Sequence, residues 1–376
     1  MKSTSLRRAV APGIAALALL AVTGCGAANE DTGSGNGGDE SSGGTSEAVD
    51  LGEGTLAGGG ASTQQAAMAA WAVGFQEMNP GMTIEYDPVG SGGGRESFIS
   101  SAYPFAGSDA YLTDEESELS AAKERCGGTD PIEIPSYVSP IALVYTLEGV
   151  DELNLTPEAI AGIFSGEITK WNDPAIADAN PDADLPDTNI NPVHRSDESG
   201  TTENFTTYLD AVAGDVWTAG VVETWPGDFG GEGAKGTSGV VQAAGSEGSI
   251  GYADASQAGE LSVANVAVGE EFVAPSPEAA AQILEVSPKA EGAAENQLIF
   301  DLDHNTEESG TYPVVLTSYL LACEKYEDAD QAAQVKAFLS YVVSDEGQEM
   351  AASEAGSAPL SDNLQEQAQT IIEKIS

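Results

Sequence analysis

Thr55-Leu56-Ala57-Gly58-Gly59-Gly60-Ala61-Ser62-Thr63-Gln64 opens the foldable part of the chain. Thr55–Ala57 reads as a strand, the Gly/Ser run as a tight turn, and Gln64–Met78 as a helix. The same design recurs at Met82–Val89, where a strand leads into Gly90-Ser91-Gly92-Gly93-Gly94-Arg95 and a helix over Gly93–Ser101. It occurs a third time at His194-Arg195-Ser196-Asp197-Glu198-Ser199-Gly200-Thr201-Thr202. Glycines let a backbone approach a ligand, hydroxyls add donors, and the unpaired N–H groups of a helix start favour an anion. One such turn by itself only caps a helix. Three of them, each between a strand and a helix, imply an α/β protein with an anion site at its strand ends.

The remaining pattern agrees with that class. Thr113-Asp114-Glu115-Glu116 has capping-box spacing and predicts a helix running towards Arg125. Ile132–Tyr137 and Ile141–Thr146 read as two buried strands, and Thr156-Pro157 as a cap and first-turn proline for a helix reaching Phe164. Tyr312–Leu321 reads as a strand, and Ala332–Val343, Glu346–Ala355 and Asn363–Ile375 as a helical C-terminus. Phe105-Ala106-Gly107-Ser108-Asp109-Ala110 ends a strand on an aspartate, which alone reads as a cap or turn residue.

Charge narrows the function. The 376 residues carry 61 Asp and Glu against 13 Lys and Arg, a net charge of −48, with 41% hydrophobic residues. The apolar content is enough for a core, so the acidity belongs to the surface. Such a surface repels phosphodiester backbones and anionic lipids, which excludes nucleic acid and membrane adhesion by charge.

Lys2, Arg7 and Arg8 precede an apolar run from Ala9 to Val22 that ends in Val22-Thr23-Gly24-Cys25. A basic start, a stretch too short to span a bilayer and small residues before a cysteine read as a lipoprotein export signal over 1–24, with Cys25 as the lipidated first residue of the mature chain. Cleavage there leaves 10 basic residues against 61 acidic, a net charge of −51, and only three arginines: Arg95, Arg125 and Arg195. Residues 25–50 are rich in Gly, Ser and acidic residues with almost no apolar side chain, which reads as a disordered tether reaching on the order of 25 Å. Because export is oxidising and Cys25 is committed to lipid, Cys126 and Cys323 are expected to pair, the alternative being two buried thiols.

In a chain this poor in cations, Arg195 four residues before Ser199 stands out, since its planar fork suits a tetrahedral oxyanion. A local ion pair with Asp197 or Glu198 is the competing reading. The enzyme reading has little to rest on. His194 and His304 are the only imidazoles, neither sits in a nucleophile or zinc motif, and no Cys pair has zinc spacing. Asp301-Leu302-Asp303-His304-Asn305 begins like a calcium loop, but Thr306 stands where the glycine is required and Tyr312 where the last ligand belongs. No catalytic residue, metal or cofactor is assigned.

Six blocks in order carry a family resemblance: Leu56-Ala-Gly-Gly-Gly-Ala-Ser-Thr63, Val89-Gly-Ser-Gly-Gly-Gly94, Phe105-Ala-Gly-Ser-Asp109, the stretch from Ile163 to Ile176, Arg195-Ser-Asp-Glu-Ser-Gly-Thr-Thr202 and Gly248-Ser-Ile-Gly-Tyr252. Over nearly all of 51–376 the chain resembles the phosphate-binding proteins of the bacterial phosphate-specific ABC transporter, in their actinobacterial lipoprotein form. The resemblance implies a two-lobed periplasmic-binding-protein fold of class II type, with a ligand cleft between the lobes and two crossover segments, near Ser136 and Tyr312. Lobe 1 would comprise 51–136 and 313–376, and lobe 2 137–312. Phosphate would be held by Ser62, Thr63, Ser91 and Asp109 from one lobe and by Arg195, Ser199, Gly200 and Thr201 from the other.

The resemblance further implies a monomer on the outer face of the cell membrane, touching the membrane only through its lipid and handing phosphate to the permease subunits of an ABC importer. Another oxyanion or an organophosphate is the alternative ligand. Two positions depart from the family pattern. Gln64-Gln65 stand where an aromatic and a proline are common, leaving open whether Thr63 binds by side chain or backbone, and Glu198 stands where a turn glycine is frequent. Trp171 and its block are assigned to fold and surface.

Overall fold

The computed structural model describes residues 51–114 and 117–376. The export signal, the tether with Cys25, and Glu115-Glu116 of the capping box lie outside the described residues. The chain first forms β1 (Gly54–Gly60), α1 (Gln65–Met78), β2 (Met82–Asp87), α2 (Ser91–Ile99), β3 (Phe105–Ser108), α3 (Glu118–Arg125) and β4 (Ile132–Thr146). Next come β5 (Asn154–Leu155), α4 (Pro157–Ser165), α5 (Pro174–Ala177), β6 (Asn191–Arg195), α6 (Gly200–Ala213), β7 (Glu232–Ala234), α7 (Gly236–Ala244) and β8 (Ser249–Asp254). A 3-10 turn, Ala255–Gln257, leads to β9 (Ser262–Val263), β10 (Asn265–Val268), β11 (Glu271–Val273) and α8 (Pro277–Val286). The chain ends with β12 (Val315–Ala322), α9 (Ala329–Val342), α10 (Asp345–Ala355) and α11 (Asp362–Ile372).

The main sheet has the order β2-β1-β3-β12-β4-β8-β6-β7, with β9 also paired to β4. β1 runs parallel to β2 and β3, and β6 parallel to β7 and β8. Antiparallel β12 and β4 join these two groups. The parallel strands therefore end in helix-starting loops, which is where open α/β sheets take their ligands.

The two strands expected over Ile132–Tyr137 and Ile141–Thr146 are one 15-residue strand. Its first part pairs with β12 and its last part with β8, so β4 belongs to both halves of the sheet. The strand contains Pro135 and Pro140, and proline cannot donate to a ladder. The strand accommodates Pro135 with a bulge: Tyr137 pairs with Ser318 and Pro135 with Tyr319, so Ser136 has no opposite residue. The helix expected from Thr113 starts instead at Glu118, after Ser117 takes the left-handed conformation at φ +65°, and Asp114 Oδ1 accepts from Ser120 N at 2.9 Å. The strand expected from Tyr312 begins at Val315.

Elsewhere local chemistry sets the ends as read. Thr156 accepts from Ala159 N at 3.2 Å, Pro157 occupies the first turn, and Gly166 ends α4 at φ +82°. Aromatic side chains fill both halves. Phe75 packs edge-on to Phe338, Phe164 edge-on to Phe205, and Phe205 stacks on Tyr252 with centroids 4.4 Å apart. Trp171 is fully buried with Nε1 donating to Gly248 O at 3.1 Å, so its block serves the fold. Cys126 and Cys323 are joined by a disulfide with their Cα atoms 5.3 Å apart. No helix among the described residues is long and apolar enough to cross a membrane.

Candidate functional site

Asp109 is the hub of the site. It follows the last residue of β3 and is 3% exposed. Thr63 Oγ1 donates to both its carboxylate oxygens, at 2.8 and 2.9 Å, Ser318 Oγ to Oδ1 at 2.7 Å, and Thr201 Oγ1 to Oδ2 at 3.2 Å. Its own N–H donates to Ser91 Oγ at 3.1 Å, and its carbonyl accepts from Asn204 Nδ2 at 2.8 Å. Burial raises the Asp109 carboxyl above the usual aspartate value, while Ser318, Thr63, Arg195 and Thr201 work the other way. The first and third Gly/Ser/Thr segments thus meet at the Asp109 carboxylate, and the second at its backbone N–H.

Two glycines explain how closely they approach. Gly60 ends β1 at φ +145°, and a Cβ there would run into the Gly107 carbonyl on β3. Gly200 begins α6 against the backbone of Asp109 and Ala110, where a Cβ would come within 2.8 Å. The starts of α1, α2 and α7 carry no side-chain cap, which leaves their first-turn N–H groups to other acceptors. Ser199 caps α6, accepting from Thr202 N at 3.3 Å.

Arg195 ends β6 and is 2% exposed. Its Nε and Nη2 donate to Asp197 at 2.8 and 2.6 Å, and Nη1 donates to Thr201 Oγ1 at 3.3 Å. The competing reading of this arginine, a pair with Asp197, holds together with its place beside Thr201. Burial opposes the Asp197 charge, but Arg195 and the Gly236 N–H hold its pKa below the usual carboxylate value. Tyr252 Oη accepts from Arg195 N at 3.1 Å and lies 2.7 Å from Thr202 Oγ1, which fixes the strand end to the helix start.

All eight sequence-assigned residues, Ser62, Thr63, Ser91, Asp109, Arg195, Ser199, Gly200 and Thr201, fall in this buried assembly. The hydroxyls of Thr63 and Thr201 are both directed at Asp109. Gln64, Ser318, Thr237 and Gln257 also belong to the assembly and were not assigned to it from the sequence. Gln64 is fully buried and its Nε2 donates to Ser318 Oγ at 2.7 Å and Tyr319 O at 2.9 Å. Thr237 Oγ1 lies 2.9 Å from Ser62 Oγ, and Thr237 N donates to the same oxygen at 3.0 Å. Gln257 Nε2 donates to the carbonyls of Ser62 and Thr63, at 2.9 and 3.0 Å. Only Thr237 carried a usable signal: Ala234-Lys235-Gly236-Thr237 is a fourth strand end, glycine and hydroxyl at a helix start.

The histidines stand apart from this hub. His194 stacks on Trp225 with centroids 4.8 Å apart, and His304 Nδ1 lies 2.8 Å from the Pro313 carbonyl, its pKa lowered by burial. No group of three or more metal-ligating side chains among the described residues is arranged to hold an ion.

The architecture is that of a PBP superfamily domain, whose model matches residues 44–346. Among solved structures, the fold superposes on a high-affinity periplasmic phosphate-binding protein solved with phosphate, with a TM-score of 0.70 at 23% identity over 84% of this chain and 93% of that one. The phosphate-binding protein from Stenotrophomonas maltophilia gives 0.63 at 22% identity, covering 85% and 94%. In sequence, phosphate-binding protein PstS 3 of Mycobacterium tuberculosis is 37% identical over 345 residues, 90% of each chain. PstS 2 of the same species is 34% identical over 379 residues, 98% of this chain and 99% of its own. The chain belongs to the family of PstS phosphate-binding proteins.

Proposed function

We propose that this protein captures inorganic phosphate outside the cytoplasm and delivers it to the permease subunits of an ABC importer. Residues 51–136 and 313–376 form lobe 1 and 137–312 lobe 2, with the site between them. Ser62, Thr63, Ser91, Arg195, Ser199, Gly200 and Thr201 supply donors, and Asp109 supplies the one acceptor. The chain works as a monomer, anchored to the outer face of the cell membrane through lipid on Cys25. The observation that carries the reading is the convergence of the three Gly/Ser/Thr segments on buried Asp109, with Thr63 and Thr201 on its carboxylate and Ser91 on its backbone N–H, and with buried Arg195 one hydrogen bond away on Thr201.

Asp109 gives the site its selectivity. At neutral pH phosphate keeps at least one proton and sulfate none, so the carboxylate accepts a hydrogen bond from the first and repels the second. A buried acceptor to which the ligand offers no proton discriminates strongly. Calorimetry on dialysed protein tests this with phosphate and sulfate, on the parent and on Asp109→Asn. Tight phosphate binding with no sulfate binding in the parent, and a narrowed preference in the variant, is the expected result. Binding of sulfate or an organophosphate in preference to phosphate overturns the ligand assignment, and parental selectivity in Asp109→Asn removes the role given to that residue.

A further inference from the structure

A second set of contacts between the two lobes involves none of the residues assigned to phosphate. Arg95 on α2 is 3% exposed, although it follows the glycine loop rather than lying in the site. Its Nε donates to Glu118 at 2.7 Å and its Nη1 to Ser108 Oγ at 3.2 Å, both in lobe 1. Its Nη2 reaches into lobe 2, donating to Glu223 at 2.6 Å and to Glu198 at 3.3 Å. These carboxylates line a cavity of about 560 Å³ together with Glu203.

The two contacts to lobe 2 are not equal. The Glu198 side chain is 42% exposed, where an ion pair adds little, and Glu223 is 21% exposed at a shorter distance. Burial works against the charge of Arg95, and Glu223, Glu118 and Glu203 together more than offset it, so its pKa lies above the ordinary arginine value. Glu203 on α6 lies beside Glu223. Burial first, then the Glu223 charge, push its pKa well up, while the Arg95 charge works the other way.

What Glu223 does with its backbone gives the contact its meaning. Its carbonyl accepts from Ser199 N at 3.2 Å, and the preceding Val222 is tied to α6 by two bonds with Thr206, at 3.0 and 3.1 Å. Arg95 therefore joins Ser108, the neighbour of Asp109, to the loop that carries the α6 cap. Gly92 faces the Glu198 side chain so closely that a Cβ there would collide with it, which lets the two surfaces meet.

We propose that Arg95 is a positioning residue for phosphate binding, a latch that holds the ligand loop at Ser199 against lobe 1 through Glu223 and slows phosphate release. This rests on the phosphate reading above. Breaking one partner of a desolvated charge pair acts chiefly on dissociation. The test compares Glu223→Gln and Arg95→Gln with Glu118→Gln, whose side chain meets Arg95 from within lobe 1, and with Arg95→Lys, which keeps a charge.

Stopped-flow mixing with phosphate reads the rates, and spin labels on cysteines at exposed Val73 and Asp210 read the distance between the lobes in phosphate-free buffer. Expected are a rise in dissociation rate of about tenfold for Glu223→Gln and Arg95→Gln with association within about twofold, partial rescue by Arg95→Lys, and longer label distances. Glu118→Gln should keep the parental values. Parental label distances in folded Glu223→Gln overturn the latch whatever the rates, as does an equal effect of Glu118→Gln. Failure of the parent itself to bind phosphate overturns the phosphate reading, and the label distances then decide the latch alone.

Discussion

Replacing Arg195 by alanine should weaken phosphate binding more than any other single change, and its neighbour Asp197 sets how much. The guanidinium is 2% exposed and the Asp197 side chain 13% exposed, with two bonds between them at 2.8 and 2.6 Å. Removing one partner of such a pair costs about 3 to 5 kcal/mol, because the other charge stays buried and unpaired. Here the stranded charge is negative and faces the arriving anion. At about 1.4 kcal/mol per decade, Kd should rise on the order of 100- to 4,000-fold. Removing both side chains, in Arg195→Ala/Asp197→Ala, leaves only the loss of hydrogen bonds to a charged group, about 1.5 to 3 kcal/mol. The double variant should therefore bind on the order of tenfold tighter than Arg195→Ala. Titration calorimetry with phosphate measures all three, with thermal melts to establish that each is folded. A double variant no tighter than the single one refutes the role of Asp197, and parental affinity in Arg195→Ala refutes the assignment of Arg195.

Three other outcomes follow from the same structure. The Cys126–Cys323 bond spans 197 positions, and in the chain-entropy model its removal in Cys126→Ser/Cys323→Ser costs up to about 5 kcal/mol; urea unfolding with the midpoint unchanged would contradict this. Burial pushes the Asp254 carboxyl up to about 6 from an ordinary 3.8, so the folded state binds its proton more tightly and Asp254 loses stability as pH rises from about 4 through about 6. The stability of Asp254→Asn relative to the parent should accordingly grow by up to about 3 kcal/mol between about pH 4 and 7, a difference in which the two histidines cancel; a pH-independent difference would sink the argument. Finally, the rate of phosphate association should not fall as sodium chloride rises from about 0.02 to about 0.5 M, values that bracket a Debye length of about 10 Å, and a steep fall would mean that a positive field draws the ion in.

The parts of the site legible in the sequence are those written in short segments. A strand end, a glycine run and a hydroxyl at a helix start can be read within ten residues, and so Ser62, Ser91 and Ser199 were visible. Asp109 gained its meaning only from company, since one aspartate after a strand is an ordinary turn residue. Gln64 and Ser318 show where local reading fails. They meet across 254 positions, and nothing near Ser318 distinguishes a serine that reaches Asp109 from one that merely sits in a strand. The single course of β4 was hidden for a different reason. Pro135 and Pro140 are honest strand breakers by local rule, and only the bulge at Ser136, matched by β12 beside it, lets the ladder continue.

The charge of the molecule poses the remaining question, since a chain of net charge −48 would have to bind an anion. Simple pairing with arginines is not how it does so. Arg95 is matched by Glu118, Glu198 and Glu223, and Arg195 by Asp197, so neither cation projects a field beyond its own partners. Arg125 lies over the Phe98 ring at 3.9 Å beside the disulfide. What remains at the hub are dipoles: hydroxyls of Ser62, Thr63, Ser91 and Thr201, and the N–H groups at the starts of α1, α2 and α6. Such donors act within hydrogen-bond reach and are worth most where water is excluded, whereas the surface carboxylates act over a Debye length and are screened. The two therefore do not compete at the same range. An acidic surface can keep the protein soluble and unattached to nucleic acid while the buried donors proposed for phosphate, Arg195 and the neutral groups at the helix starts, act only within hydrogen-bond reach.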